Sequence, residues 1–149
     1  MLTVDLLFYG FFMRIAVVFF EGKSRKQILN IAQALVRGVG KQGHHVDLID
    51  GNRTVNSKLT LYKYIICGTE SLSLFSGKIP NRVTAFLQES GIISGKRCFA
   101  FIIKRPFSSS RALLKLMKLM ESEGMILKNS RVLTSDVEAE EIGRRLHIS

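Results

Sequence analysis

The fold is decided by residues 13–35, MRIAVVFFEGKSRKQILNIAQAL. Residues 15–20 form an unbroken apolar run rich in β-branched and aromatic side chains, which is typical of a strand buried on both faces of a parallel sheet. The apolar residues that follow repeat at the spacing of one helix face: Ile28, Ile31, Ala32 and Leu35. Ser24 stands at the N-cap position of this helix, and Gly38 and Gly40 are predicted to end it. A strand, a glycine-bearing turn and a helix make the first half of a βαβ unit, whose turn lies where α/β proteins bind ligands.

The rest of the chain continues the alternation of strands and helices. Strands are predicted at residues 46–50, 59–67, 97–103 and 125–133, and helices at residues 80–89, 110–123 and 136–147. The last helix follows a Ser135-x-x-Glu138 capping box and should turn Val137, Ile142 and Leu146 inward. Provided that residues 51–58 contain no helix, this order predicts an α/β protein with a doubly wound, five-stranded parallel sheet.

The charge of the chain indicates an anionic partner. The 149 residues, enough for one domain, contain 22 Lys and Arg against 12 Asp and Glu, a net charge of +10. Between Gly51 and Gln88 the only acidic residue is Glu70. Such a balance suits phosphate, nucleic acid or lipid headgroups, and the alternative is a solvated basic surface without a dedicated partner.

The two cysteines, Cys67 and Cys98, each lie inside an apolar strand-like run and do not form a CxxC pair. Free cysteine is among the most buried residue types, so we expect two inert core thiols in a reducing cytoplasm. A disulfide between neighbouring strands is the alternative.

Residues 1–12, MLTVDLLFYGFF, are apolar but lack the basic region and cleavage site of a secretory signal. Asp5 and Arg14 interrupt the longer apolar run to Phe20, which argues against an integral membrane span. We expect either an N-terminal arm or an upstream start codon with the natural start at Met13, followed by one domain over residues 13–149.

Three stretches resemble the flavodoxin-like family. Residues 64–69 (YIICGT) and 75–80 (FSGKIP), followed by Val83, Phe86 and Leu87, are similar to that family's third strand and its following loop and helix. Residues 94–97 (SGKR) are similar to the family's entry into its fourth strand, and residues 19–24 stand where its (S/T)x(T)GNT phosphate loop stands. The resemblance implies strand order 2-1-3-4-5, a noncovalently bound FMN and electron transfer, as a carrier or an FMN-dependent oxidoreductase component.

The same resemblance implies a set of cofactor-binding residues. Those around the phosphate are Glu21, Gly22, Lys23, Ser24, Arg25 and Lys26. Those on one side of the flavin ring are Thr69, Phe75, Ser76 and Gly77, and those on the other side are Lys104, Arg105 and Phe107. No residue is predicted to be catalytic or to bind a metal.

The first loop departs from the family pattern, since Phe19 and Glu21 replace its hydroxyl residues. A carboxylate beside a phosphate at low effective dielectric is repulsive by a few kcal/mol, roughly. The alternative is that Glu21 turns outward and pairs with a neighbouring base. The ring-side loop at residues 104–107 lacks the usual glycines, and there Phe107 either stacks on a flavin or caps the edge of the core.

Two functions from different classes remain. The first is FMN-dependent electron transfer with a redox partner that is acidic or membrane-associated, because the basic surface is unlike that of ordinary flavodoxins. The second is a flavin-free module that binds another anion or a partner protein on the same fold. Nucleic acid is not expected, because the basic and aromatic residues 62–64 belong to a predicted strand.

Other classes lack their residues. No Walker loop or GxGxxG occurs, and Cys67-Gly68 stands where a phosphorylatable receiver domain needs an aspartate. His44 and His45 have no nearby metal-binding partners, and the serines lack a base, so a metal site and a hydrolase are disfavoured.

Overall fold

The computed structural model describes residues 13–54 and 58–148. Its centre is a five-stranded, all-parallel sheet with the strand order β2-β1-β3-β4-β5, which confirms the predicted doubly wound order. The strands are β1 (Arg14–Phe19), β2 (His45–Asp50), β3 (Tyr64–Thr69), β4 (Arg97–Ile103) and β5 (Ile126–Leu133). The helices are α1 (Arg25–Gly40), α2 (Arg82–Gln88), α3 (Ser109–Ser122) and α4 (Asp136–Arg145).

The helices cover the sheet on both faces. Val83 and Phe86 of α2 and Leu116 of α3 belong to one apolar cluster, and Leu35 of α1 and Ala139 of α4 belong to the other. The three central strands alternate their side chains between these clusters, so every residue of β3 and all but the first residue of β1 and β4 are buried. The edge strands β2 and β5 are partly exposed.

Gly38 does not end α1, contrary to the prediction. The helix runs on to Gly40, and a Cβ at position 38 would overlap the main-chain carbonyl oxygen of Glu140 in α4. Gly38 therefore allows two helix backbones to approach each other, whereas a Cβ at Gly40 would meet no atom within 4 Å. The sequence pattern alone does not distinguish a glycine that ends a helix from one that packs against a neighbour.

Three further predictions need correction or fall outside the described residues. Strand β3 begins at Tyr64 rather than at Leu59, because residues 59–62 form a turn that ends in a Tyr62 N–H to Leu59 carbonyl bond of 3.1 Å. Val137 is exposed rather than inward-facing. Residues 1–12, and residues 55–57 of the predicted loop, lie outside the described residues.

Cys67 and Cys98 are free and buried, as expected. Burial raises the pKa of the Cys67 thiol far above its ordinary value and that of Cys98 to about 12, so neither is a nucleophile at neutral pH. Within residues 13–54 and 58–148, no helix has the length and apolarity that a bilayer crossing requires.

Candidate functional site

The carboxyl ends of β1, β3 and β4 meet at one edge of the sheet, and the loops that follow them form the candidate site. The loop after β1 is tied directly to β3: the N–H of Phe20 donates to the carbonyl of Gly68 (3.0 Å), and the Thr69 hydroxyl donates to the carbonyl of Phe20 (3.0 Å). Thr69 is fully buried in this role. Its hydroxyl therefore holds two strand ends together and is not presented to a ligand.

Glu70, in the loop after β3, reaches with its side chain into the first loop, where the resemblance places the cofactor phosphate. Its side chain is fully buried, and its Oε1 accepts a hydrogen bond of 2.8 Å from the main-chain N–H of Ser24. Its Oε2 forms an ion pair with the guanidinium of Arg105. A Cβ at Gly22 would lie 2.8 Å from Oε1, so the glycine makes room for this carboxylate.

The Glu70 carboxylate acts as the N-terminal cap of α1. Ser24 occupies the N-cap position in an extended conformation, but its own side chain makes no capping bond. The first turn of a helix presents unpaired N–H groups and a partial positive charge, which a carboxylate satisfies. No acidic residue lies in the first turn of α1, so Glu70 supplies that charge from a loop 46 residues away along the chain.

Glu21 is turned away from this position. Its carboxylate pairs with Arg25 (3.0 Å), which also pairs with Asp50 (2.7 Å), so the outward alternative is the one observed. Hydrogen bonds from Arg25 to Glu21 and to Asp50 raise the pKa of the guanidinium above its ordinary value. The main-chain N–H of Glu21 donates to Asn52 Oδ1 (2.7 Å) and is therefore also engaged.

Lys23 and Lys26 are exposed on the outside of the same loop and first turn. Among the residues that the structure describes, neither lies within ion-pairing distance of a carboxylate. The predicted basic residues of the loop thus divide in function: Arg25 is locked in an ion-pair network, and the two lysines face solvent.

The two aromatic residues predicted to border a flavin contact each other. The ring centroids of Phe75 and Phe107 are 5.4 Å apart with an interplanar angle of 33°. Gly77, with φ of +72°, allows the Phe75 loop to lie against the start of α3, where a Cβ would come within 2.6 Å of the Ala112 nitrogen. The main-chain carbonyl of Phe75 accepts a hydrogen bond from Arg111 (3.2 Å), which fixes the loop there.

The remaining predicted residues lie at the rim of this pair of rings. The Ser76 hydroxyl is 2.5 Å from that of Ser73, and the Ser76 carbonyl accepts a hydrogen bond from Lys115 (3.0 Å). Lys104 is exposed and borders an open cavity of about 430 Å³ beside Phe107. The rest of that cavity is lined by Arg105, Ser109, Ser110, Val132 and Thr134.

This arrangement does not fit FMN. The loop N–H groups of Glu21 and Ser24 are bonded to Asn52 and Glu70, and a buried carboxylate stands where a phosphate would carry the same sign of charge. A flat ring between two aromatic rings needs roughly 7 Å between their planes, twice the optimal carbon–carbon contact. The centroids of Phe75 and Phe107 are closer than that.

No protein-family model and no curated protein sequence matches this chain. Solved structures do match it. An archaeal flavodoxin aligns with a TM-score of 0.66 at 16% identity, over 89% of this chain and 94% of its own. Flavodoxin 1 of Bacillus cereus aligns with a TM-score of 0.67 at 16% identity, over 87% of this chain and 94% of its own. The chain has a flavodoxin-like fold.

A WrbA-like flavodoxin from Agrobacterium tumefaciens also shares the flavodoxin-like fold, with a TM-score of 0.58 at 18% identity over 90% of this chain and 94% of its own. Likeness at this identity establishes the architecture and the sheet edge at which the loops meet. It leaves the chemistry of those loops to the residues themselves.

Sequence reasoning brought the right loops of the flavodoxin-like fold together but missed Glu70 and Asn52 as site residues. The signal for Glu70 was present, because it is the one acid in a long basic stretch and directly follows a buried strand. Gly22, which the resemblance places beside the phosphate, instead makes room for the Glu70 side chain of the same protein.

Proposed function

We propose that this chain is a flavin-free binding module on a flavodoxin-like fold, in which the Glu70 carboxylate takes the place of a cofactor phosphate. The observation that carries this proposal is the engagement of Glu70 by both the Ser24 N–H and Arg105 in a fully buried position. A buried carboxylate with a paired guanidinium and a helix N-terminus is satisfied, so the Ser24 N–H and Arg105 already have the negative partner that an external anion would provide.

The paired rings support the same proposal. Phe75 and Phe107 pack on each other and leave no space for a third ring between them. The edge that would border a cofactor is instead an exposed surface of aromatic and basic side chains. We therefore propose that this edge recognises a partner and carries out no redox chemistry. We also propose that the protein is cytoplasmic, because a reducing compartment keeps its two buried thiols free.

FMN-dependent electron transfer is the second candidate, favoured by the match to flavodoxins in fold. FMN when bound would supply the redox chemistry, and the partner would be acidic or membrane-associated because the protein is basic. For this candidate, Glu70 has to leave the first loop and the two rings have to separate. The first change leaves the Ser24 N–H and Arg105 without Glu70, and the second breaks the contact between Phe75 and Phe107.

Titration with FMN, followed by quenching of flavin fluorescence, separates the two candidates. We expect no saturable binding by the unmodified protein at FMN concentrations up to about 100 μM, a limit that corresponds to negligible affinity for a resident cofactor. Stoichiometric binding in the micromolar range or tighter would overturn the flavin-free proposal.

Two single substitutions locate the cause. Glu70→Thr removes the carboxylate from the loop, whereas Glu21→Thr restores a family-like hydroxyl but leaves Glu70 in place. If either variant gains FMN affinity, we expect it to be Glu70→Thr, because Glu21 is already paired with Arg25 away from the loop interior. Glu121→Ala, at an exposed position on α3, is the charge-matched control.

A further inference from the structure

The paired rings are exposed although they are large and apolar. Phe75 and Phe107 keep 58% and 77% of their surface accessible, and Leu74, which precedes Phe75 in the chain, keeps 55%. Exposed apolar groups that lie together, rather than singly, mark surfaces that contact another molecule. Leu74, Phe75 and Phe107 are called the aromatic face below.

The backbone at Phe107 is unfavourable for its side chain. Its φ of +68° makes it the one non-glycine residue with positive φ among residues 13–54 and 58–148. Bulky residues avoid this left-handed region, and a mostly exposed ring gains little burial in return. Stability of the fold therefore does not account for a phenylalanine here, but presentation of a ring on the surface does.

Three cations around the aromatic face, Lys104, Arg111 and Lys115, have no carboxylate partner in the part of the chain that the structure describes. Arg111 and Lys115 donate to the main-chain carbonyls of Phe75 and Ser76, and Lys104 borders the cavity next to Phe107. None of these three cations appears in an ion pair within the described part of the chain. Their positive charge is therefore available to a binding partner.

Glu70, the one acidic residue in the loops after β3 and β4, is fully buried and already paired with Arg105. The aromatic face is thus an apolar centre with a positive rim, and the two loops that carry its residues, after β3 and β4, add no exposed acidic side chain. Complementarity then requires a partner with an apolar centre and a negative rim.

We infer that the aromatic face, with Lys104, Arg111 and Lys115, docks an acidic partner protein that places an apolar side chain against the rings. The inference rests on the proposed function, because a flavin between the rings would alter this surface. Two of the three cations are held in place by hydrogen bonds to the loop, which suits a structured array of carboxylates more than a fluid lipid surface. The rings contact each other, so no gap admits a nucleic-acid base between them.

The probe is a synthetic helical peptide with one tryptophan flanked by glutamates, titrated into the full chain and followed by tryptophan fluorescence and amide chemical shifts. We expect saturable binding that weakens as salt is raised, with shift changes concentrated in residues 74–77 and 104–115. A peptide with glutamine in place of each glutamate should bind with an affinity that is lower by about tenfold or more.

Two matched pairs of variants test the surface itself. Phe107→Asn removes the ring while suiting the positive φ, because asparagine tolerates that region, and Ile92→Asn removes an equally exposed apolar group elsewhere. Lys104→Glu reverses a rim charge, and Lys128→Glu makes the same change at an exposed position of edge strand β5. We expect Phe107→Asn and Lys104→Glu each to weaken binding about tenfold, and the two controls to change it less than about twofold.

Three results would overturn the inference: no saturable peptide binding, equal loss in the control variants, or shift changes away from the aromatic face. Tighter binding of single-stranded DNA or of phosphatidylglycerol vesicles through the same residues would overturn the choice of an acidic protein. The FMN titration and the peptide titration test the two proposals separately. If the protein binds neither FMN nor the peptide, the flavin-free proposal stands and only the docking surface is refuted.

Discussion

Replacement of Glu70 by alanine tests whether its carboxylate is a built-in substitute for a bound anion. The substitution leaves Arg105 without its carboxylate and the Ser24 N–H without its acceptor. Removal of one member of a buried ion pair costs about 3–5 kcal/mol. Because the Arg105 side chain is 26% exposed and partly reached by water, we expect a cost at the lower end, about 3 kcal/mol.

This loss should be visible in thermal unfolding followed by circular dichroism. For a domain of this size, 1 kcal/mol corresponds to about 2–4 °C in Tm, so Glu70→Ala should melt about 6–12 °C below the unmodified protein. Glu70→Gln keeps an acceptor for the Ser24 N–H but loses the charge, so its Tm should lie between those of the unmodified protein and Glu70→Ala. Glu121→Ala, at an exposed position, should change Tm little.

Inorganic phosphate provides the sharper half of the test. In Glu70→Ala an anion can enter the loop and contact Arg105 and the N-terminus of α1, so phosphate should raise Tm relative to chloride at equal ionic strength. Phosphate at about 100 times its dissociation constant returns about 2.7 kcal/mol, which is close to the whole loss. The unmodified protein should gain nothing comparable, because Glu70 already occupies the position.

Two outcomes would refute this reasoning. A loss below about 1 kcal/mol would mean that the buried pair contributes no more than an exposed one. Equal stabilisation of both proteins by phosphate would mean that the anion binds elsewhere on this basic surface.

Two further predictions concern the fold and its pH dependence. Gly38→Ala should destabilise the protein by about 1–3 kcal/mol, because the new Cβ would overlap the Glu140 carbonyl. Gly40→Ala in the same helix should instead stabilise the protein by about 0.5–1 kcal/mol, because its Cβ would meet no atom within 4 Å. The free energies of unfolding of the two variants in denaturant check both predictions. Tyr62 donates to Asp47 (2.6 Å), and this bond is the first cause that lowers the pKa of Asp47 below its ordinary 3.8. The stability from this bond is therefore fully present above pH 3.8 and is lost as the pH falls through the lower pKa that Asp47 has in the folded protein. Tyr62→Phe should thus lower the free energy of unfolding by about 1 kcal/mol at pH 7 but change it little in strong acid.

The architecture was predictable because its signals are local and repeated. The buried runs of β1 and β4 and the helical spacing in α3 follow from the two side-chain periods. The rule that crossovers between parallel strands are right-handed and unknotted then leaves few topologies. The errors arose where one residue type serves two purposes. Gly38 packs against a helix instead of ending one, and Val137 satisfies a helical spacing yet lies in the solvent-exposed first turn of α4.

The chemistry of the site was less predictable because it depends on contacts between loops that are far apart in sequence. Spacing brings the loops after β1, β3 and β4 to one edge, but it does not say that Glu70 turns inward while Glu21 turns outward. That choice depends on Arg105, which a resemblance would assign to a cofactor, and on Asn52, in a loop without a recognisable pattern.

Glu70 competes with any free anion for the first loop, and it has the advantage of being part of the chain. Glu70 is attached to β3, so it occupies the first loop without the loss of translational freedom that a free ligand incurs. A phosphate-bearing ligand has to bind the fraction of molecules in which Glu70 is displaced, and its apparent affinity falls by that fraction. If the displaced state is populated at about one part in a thousand, a nanomolar site becomes a micromolar one without any change in the residues that would contact the ligand. On the flavin-free proposal, one acidic residue after β3 is therefore sufficient to lower the affinity of this edge for a phosphate-bearing ligand by that factor.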